Sequence, residues 1–193
     1  MLASGSGTIL EAVLEAGVGV AIVLADRPCR ALELASAAGV EALLLDRRAF
    51  GGFGPAFDRA RYTDVLTETL TARDVDLIAM AGFGTVLAGS VHDAFGGRIL
   101  NTHPSLLPAF PGWHAVADAL AAGVVTTGCT VHLAVTAVDA GPVLAQEAVP
   151  VQPGDTEATL HERIKRVERR LYPATILRVL GELEAAGAEA RPA

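Results

Sequence analysis

Two side chains of complementary chemistry close an apolar run at Ile99-Leu100-Asn101-Thr102-His103, and a double-proline turn, Pro104-Ser105-Leu106-Leu107-Pro108, follows at once. Residues two apart on an extended segment face the same way, so the Asn101 amide and the His103 imidazole address one point in space. Pro104 and Pro108 exclude a helix and fix φ twice, which suits a loop that must hold a geometry. An isolated histidine is usually a satisfied core group. The amide and the two prolines beside this one favour a site.

Further along, Val131-His132-Leu133-Ala134-Val135 alternates like a strand and runs into Thr136-Ala137-Val138-Asp139-Ala140-Gly141-Pro142, with Asp139 at a turn. A carboxylate near an imidazole orients the ring and favours its protonated form, so Asp139 is the group expected to keep His103 cationic near neutrality. Asn101 and a cationic His103 would form a donor pair for an oxyanion. Ser105 lacks the G-x-S-x-G elbow, and Cys129 has no supporting signature of a nucleophile. The expected chemistry is therefore direct attack by a substrate amine on a bound acyl group.

These groups need a scaffold, and the order of apolar runs supplies one. Met1-Leu2-Ala3 reads as a short first strand that leads into Ser4-Gly5-Ser6-Gly7-Thr8-Ile9 and a helix through Leu10, Val13 and Leu14. Residues 18–25 read as a buried strand, 30–38 as a helix and 42–45 as a strand, a rhythm that signals a parallel sheet. Residues 50–55 read as a loop with exposed aromatics, 58–73 as a helix, and 77–81 as a strand ending in Gly82-Phe83-Gly84-Thr85-Val86-Leu87. Ligand crevices in such sheets open at the carboxyl ends of strands. His92 reads as a surface or interface residue, and His114 as a helix-start residue and secondary site candidate. His132 is expected to support the site without touching substrate. Val143–Val151 makes another strand, and a helix starting near Thr156 carries an apolar stripe through Leu160, Ile164, Val167 and Leu171. The fold class expected is α/β, one doubly wound, mostly parallel sheet with helices on both faces. Residues 1–193 form a single domain with a frayed tail over 184–193.

Composition narrows the function classes. A net charge of −7 over 193 residues argues against a nucleic-acid partner held by general attraction. Cys29 and Cys129 suggest neither a disulfide framework nor a metal site, which fits a reducing, cytoplasmic setting, and no run is long and apolar enough for a membrane span. A Gly-rich turn opening a helix presents free N–H groups to an anion such as a phosphate. The dinucleotide fingerprint would need glycine where Leu10 stands, although Asp26 lies at a suitable distance for a ribose.

The motifs Leu100-Asn101-Thr102-His103-Pro104-Ser105-Leu106-Leu107-Pro108, Pro111-Gly112-Trp113-His114 and Asp139-Ala140-Gly141-Pro142, taken in order, resemble the folate-dependent formyltransferases, within them those acting on glycinamide ribonucleotide in purine synthesis. The resemblance runs from the Gly-rich turn to Tyr172-Pro173. It implies 10-formyltetrahydrofolate as co-substrate, no metal, small-molecule partners only, and a homodimer among the open oligomeric states. It assigns catalysis to Asn101, His103 and Asp139. The nucleotide falls to Gly5, Ser6, Gly7, Thr8 and Ile9 with Glu168 on the ribose hydroxyls, and the folate to Arg59, Gly84, Thr85, Val86, Leu87, Asn101, Val135, Thr136, Ala137, Val138 and Asp139. Relatives commonly carry Asn where Ile9 stands and Met-Arg where Gly84-Thr85 stand. A tRNA-formylating relative would continue the Leu-Leu-Pro loop differently, and a deformylase would add an N-terminal regulatory domain. A degenerate nucleotide-binding member is the non-enzymatic alternative.

Overall fold

In the computed structural model, which describes residues 1–189, seven strands form one sheet in the order β3-β2-β1-β4-β5-β6-β7. β1 (Leu2–Ala3), β2 (Ile22–Ala25), β3 (Glu41–Leu44), β4 (Ile78–Ala81) and β5 (Ile99–His103) run parallel. β6 (Thr126–Leu133) and β7 (Val143–Pro150) add antiparallel pairs. The short β1 lies at the centre, between β2 and β4, where parallel order requires the chain to reverse its direction of winding.

Alternation along the strands sorts the core onto two faces. Ala3, Val23, Ala79 and Leu100 pack under α1 (Thr8–Glu15), α2 (Arg30–Ala37) and α6 (Glu157–Glu189). Leu2, Ile22, Leu24, Ile78 and Ile99 pack under α3 (Arg59–Thr71) and α4 (Ser90–Phe95). Because β1, β2 and β4 are covered on both sides, each reads as a continuous apolar run. α5 (Ala115–Ala121) closes a smaller cluster in which Val116 meets Leu160 and Ile164 of α6.

The expected elements are present with two differences. Residues 47–50 form a short 3-10 turn capped by the Asp46 side chain, and Phe50 is half-buried edge-on against Tyr62, so only part of the 50–55 aromatic loop is exposed. α6 continues through Pro173 to Glu189, so residues 184–189 of the expected tail are helical. Glu and Ala are strong helix formers and carry the helix past its last buried residues. The remainder of that tail, 190–193, lies outside the described residues.

Tyr172 ties the two faces together. Its hydroxyl donates to the carbonyls of Met80 and Leu100, at 2.9 and 3.0 Å, and so fastens α6 to β4 and β5 just below the strand ends. Among the described residues, no helix is long and apolar enough to cross a membrane.

Candidate active site

β5 delivers the chemistry. Asn101 and His103 leave the strand on the same side as Ile99, while Thr102 leaves with Leu100 towards α6, as a period of two demands. The following turn is pinned from β6 and β7. The Thr130 hydroxyl donates to the Ser105 carbonyl at 2.6 Å, and the Gln146 amide donates to the Leu107 carbonyl at 2.9 Å. The Ser105 hydroxyl is buried and donates to the Ala109 carbonyl, which makes it a structural group of this turn.

The register of β5 against β6 sets Asn101 directly opposite His132. Cross-strand neighbours touch, and Asn101 Nδ2 lies 3.2 Å from His132 Nε2. His132 Nδ1 donates to the Leu133 carbonyl at 2.9 Å, so in the neutral ring Nε2 is left as an acceptor for an Asn101 N–H. This tautomer is assigned from the contacts. One amide hydrogen of Asn101 is thereby committed, and the residue still forms part of the cavity wall.

Asp139 arrives from the turn after β6, in the left-handed region at φ 55°. Gly141 makes that turn possible, since a β-carbon there would lie 1.8 Å from the Leu133 carbonyl oxygen. The Asp139 carboxylate accepts from the Gly112 N–H at 2.8 Å, stands 3.4 Å from His103 Nδ1, and stands 3.5 Å from His132 Nε2. Burial drives this carboxyl upward, but the hydrogen bond from the Gly112 N–H and the neighbouring His103 outweigh it and hold its pKa below the ordinary value. The other nitrogen of His103, Nε2, donates to the Phe110 carbonyl at 2.8 Å. Phe110 also has positive φ, at 53°.

These groups line a cavity of about 490 Å³. Its wall holds Gly5, Ser6, Gly7, Thr8 and Ile9, then Thr85, Val86 and Leu87, then Asn101 and His103, then Val135, Thr136, Val138 and Asp139, and finally Glu168. Gly7 is left-handed at φ 74°, and a β-carbon there would lie 2.6 Å from Leu34, so glycine permits both the turn and the close approach of α2. The Ile9 side chain is buried in the core with Leu10 and Val13. It presents only carbon to the cavity wall that it lines.

Some expected residues stand elsewhere. Arg59 is exposed at the start of α3, and neither it, Gly84 nor Ala137 is part of the cavity wall. Gly84 instead donates its N–H to the Ser4 hydroxyl and accepts from Arg47. His114 is exposed and also lies off the wall, whereas His92, expected at the surface, is half-buried and lines it. Thr85 donates to the buried Asp26 at 2.8 Å, and Arg27 pairs with the same carboxylate. With both oxygens engaged, Asp26 has no role in holding a ribose.

Two wall residues escaped the sequence reading, His161 and Lys165. The signal was present, because on a helix 161, 165 and 168 share one face. Glu168 itself is half-buried, with its carboxyl sunk beside the Thr102 hydroxyl. Burial pushes its pKa up to about 7, against the pull of Thr102 and of Lys165 and Arg169.

Comparison with known proteins follows the same chain. The formyl transferase family model matches residues 1–176. The phosphoribosylglycinamide formyltransferase of Mycobacterium tuberculosis is 49% identical over 181 residues, covering 91% of this chain and 81% of that one. The enzyme of the same name from Bacillus subtilis is 34% identical over 188 residues, covering 94% and 93%. The crystal structure of glycinamide ribonucleotide transformylase 1 from Symbiobacterium toebii superposes with a TM-score of 0.84 at 44% identity, covering 91% of this chain and 83% of that one. With its sheet order, its cavity and these matches along nearly its whole length, the chain belongs to the formyl transferase family.

Proposed function

We propose that the protein transfers the formyl group of 10-formyltetrahydrofolate to the amine of glycinamide ribonucleotide, the step that its relatives' names place in purine biosynthesis. The observation that carries this reading is the meeting of Asn101, His103 and Asp139 on the wall of a cavity that the Gly-rich opening of α1 and Lys165 also line.

The free N–H groups at the start of α1 and the Lys165 ammonium suit a phosphate. The Glu168 carboxylate suits the ribose hydroxyls as an acceptor pair. Thr85, Val86, Leu87, Val135, Thr136 and Val138 supply the largely apolar wall for the folate ring. The substrate nitrogen attacks the formyl carbon, and negative charge develops on the formyl oxygen. Asn101, through its uncommitted N–H, and His103 stabilise that oxygen, for which His103 exchanges its bond to the Phe110 carbonyl. As the carbon–nitrogen bond to the folate breaks, His103 passes a proton to the departing nitrogen, and the attacking amine releases its own proton to water held by Asp139. Holding two substrates in register supplies much of the acceleration. The residues described need no metal for these steps, and the reading places the enzyme in the cytoplasm.

An absorbance assay of deformylation of 10-formyltetrahydrofolate, with and without glycinamide ribonucleotide, tests the reading. Formyl transfer that requires the nucleotide is expected. Nucleotide-independent loss of formyl would make the protein a hydrolase, and no turnover by a folded sample that binds nucleotide would make it a degenerate member.

A further inference from the structure

α6 presents more to the cavity than Glu168. One turn before Lys165, His161 lies on the same helical face and forms part of the same wall. The ring is half-buried, and neither nitrogen has a hydrogen-bond partner among the described residues. A ring nitrogen left without a partner at the polar end of a ligand cavity is a group that a ligand can complete.

We propose that His161 is a second cationic contact for the phosphate of the nucleotide, and that it takes up a proton from solvent as the phosphate dianion binds. This rests on the reading of the cavity given above.

The argument is electrostatic and local. Burial first and the Lys165 ammonium second lower the pKa of His161 below its ordinary value, while Glu157 and Glu162 pull the other way. The elements packed on this part of α6 bring few further charges. α5 carries Asp118 and α1 carries Glu15, both exposed, while Glu11 of α1 is paired with Arg30 and Glu147 of β7 with Arg170. The ring is therefore neutral near pH 7, close to a lysine whose charge it cannot share. A phosphate carries close to two negative charges at this pH. Bound between the α1 turn and Lys165, it cancels the repulsion and offers an acceptor to a ring N–H, and both effects favour the protonated ring. Binding then consumes a proton, and affinity for the phosphorylated ligand tightens as pH falls towards the second ionisation of the phosphate itself, at about 6.

The test is calorimetric titration of the intact protein with glycinamide ribonucleotide, at about pH 7.5, in two non-phosphate buffers that differ in ionisation enthalpy. The heat difference counts protons. Wild type should take up a substantial fraction of one proton. H161Q should take up none through this ring and should bind about ten-fold more weakly, a loss of about 1.4 kcal/mol. H161K, charged throughout, should regain affinity without the uptake. The phosphate-free nucleoside should bind wild type and H161Q equally, which separates a phosphate contact from a general effect on α6. Equal affinity and equal uptake in wild type and H161Q would overturn the inference while leaving the proposed function standing. Failure of folded wild type to bind the nucleotide at all would overturn both.

Discussion

The Asp139 carboxylate stands 3.4 Å from His103 Nδ1, and on the opposite side of the ring Nε2 meets the Phe110 carbonyl at 2.8 Å. Both neighbours are oxygens, so each ring nitrogen of His103 faces an acceptor. Although burial works the other way, the hydrogen bond from the Gly112 N–H and the nearby His103 hold Asp139 below its ordinary pKa. A carboxylate depressed on folding contributes stability above its unfolded pKa, and that contribution disappears as pH falls through the folded value. The stability advantage of wild type over D139N should therefore be largest near neutrality and should shrink below about pH 4. Urea unfolding of both proteins across that range measures it. A difference that stays constant with pH would contradict the contact.

His132 touches no substrate atom in this account and acts by positioning. It accepts an Asn101 N–H and sits beside Asp139, so it fixes where the remaining amide hydrogen points. H132A should lower kcat by about 10- to 100-fold with little change in KM. H132A and N101A should be strongly non-additive, since each removes the same donor geometry. Additive losses in kcat would show that the two residues act separately.

Glu168 sets nucleotide binding against stability. Its carboxyl is pushed up to about 7 by burial, from 4.5. A group whose pKa rises on folding gives stability that is present below the unfolded value and is lost as pH climbs through the folded one. E168Q stays neutral throughout. Relative to wild type, it should gain on the order of 3 kcal/mol between about pH 4 and pH 8, while binding the ribose portion of the nucleotide more weakly. Paired unfolding and binding titrations check both signs. A variant that is weaker in binding but no more stable at high pH would contradict the burial argument.

Y172F removes the hydroxyl that serves the Met80 and Leu100 carbonyls. Two buried acceptors lose a donor, at a cost of about 1–3 kcal/mol. Thermal unfolding should register that loss, while KM values stay near wild type. Unchanged stability would mean that the α6 attachment depends on apolar packing alone.

The sequence made Asn101 and His103 legible because strand alternation is local, and it made Asp139 legible because a turn rich in small residues follows an alternating strand. The layered fold followed from the order of apolar runs. The position of His132 opposite Asn101 depends on antiparallel register, which no local pattern reveals. Lys165 and His161 required knowing which face of α6 looks towards the α1 turn. Arg59 was assigned through a loop of uncertain spacing, and it stands in solvent. Residues 184–189 read as a tail because they are rich in alanine and polar residues, although Glu and Ala are strong helix formers.

The central claim is that Asn101, His103 and Asp139 act on the transition state and leave nucleotide capture to the other end of the cavity. Steady-state formyl transfer by D139N, with glycinamide ribonucleotide varied at saturating 10-formyltetrahydrofolate, tests it most directly. The account predicts a fall in kcat of about 100-fold or more with KM for the nucleotide within about three-fold of wild type. Near-normal turnover, or a loss carried wholly by KM, would contradict it.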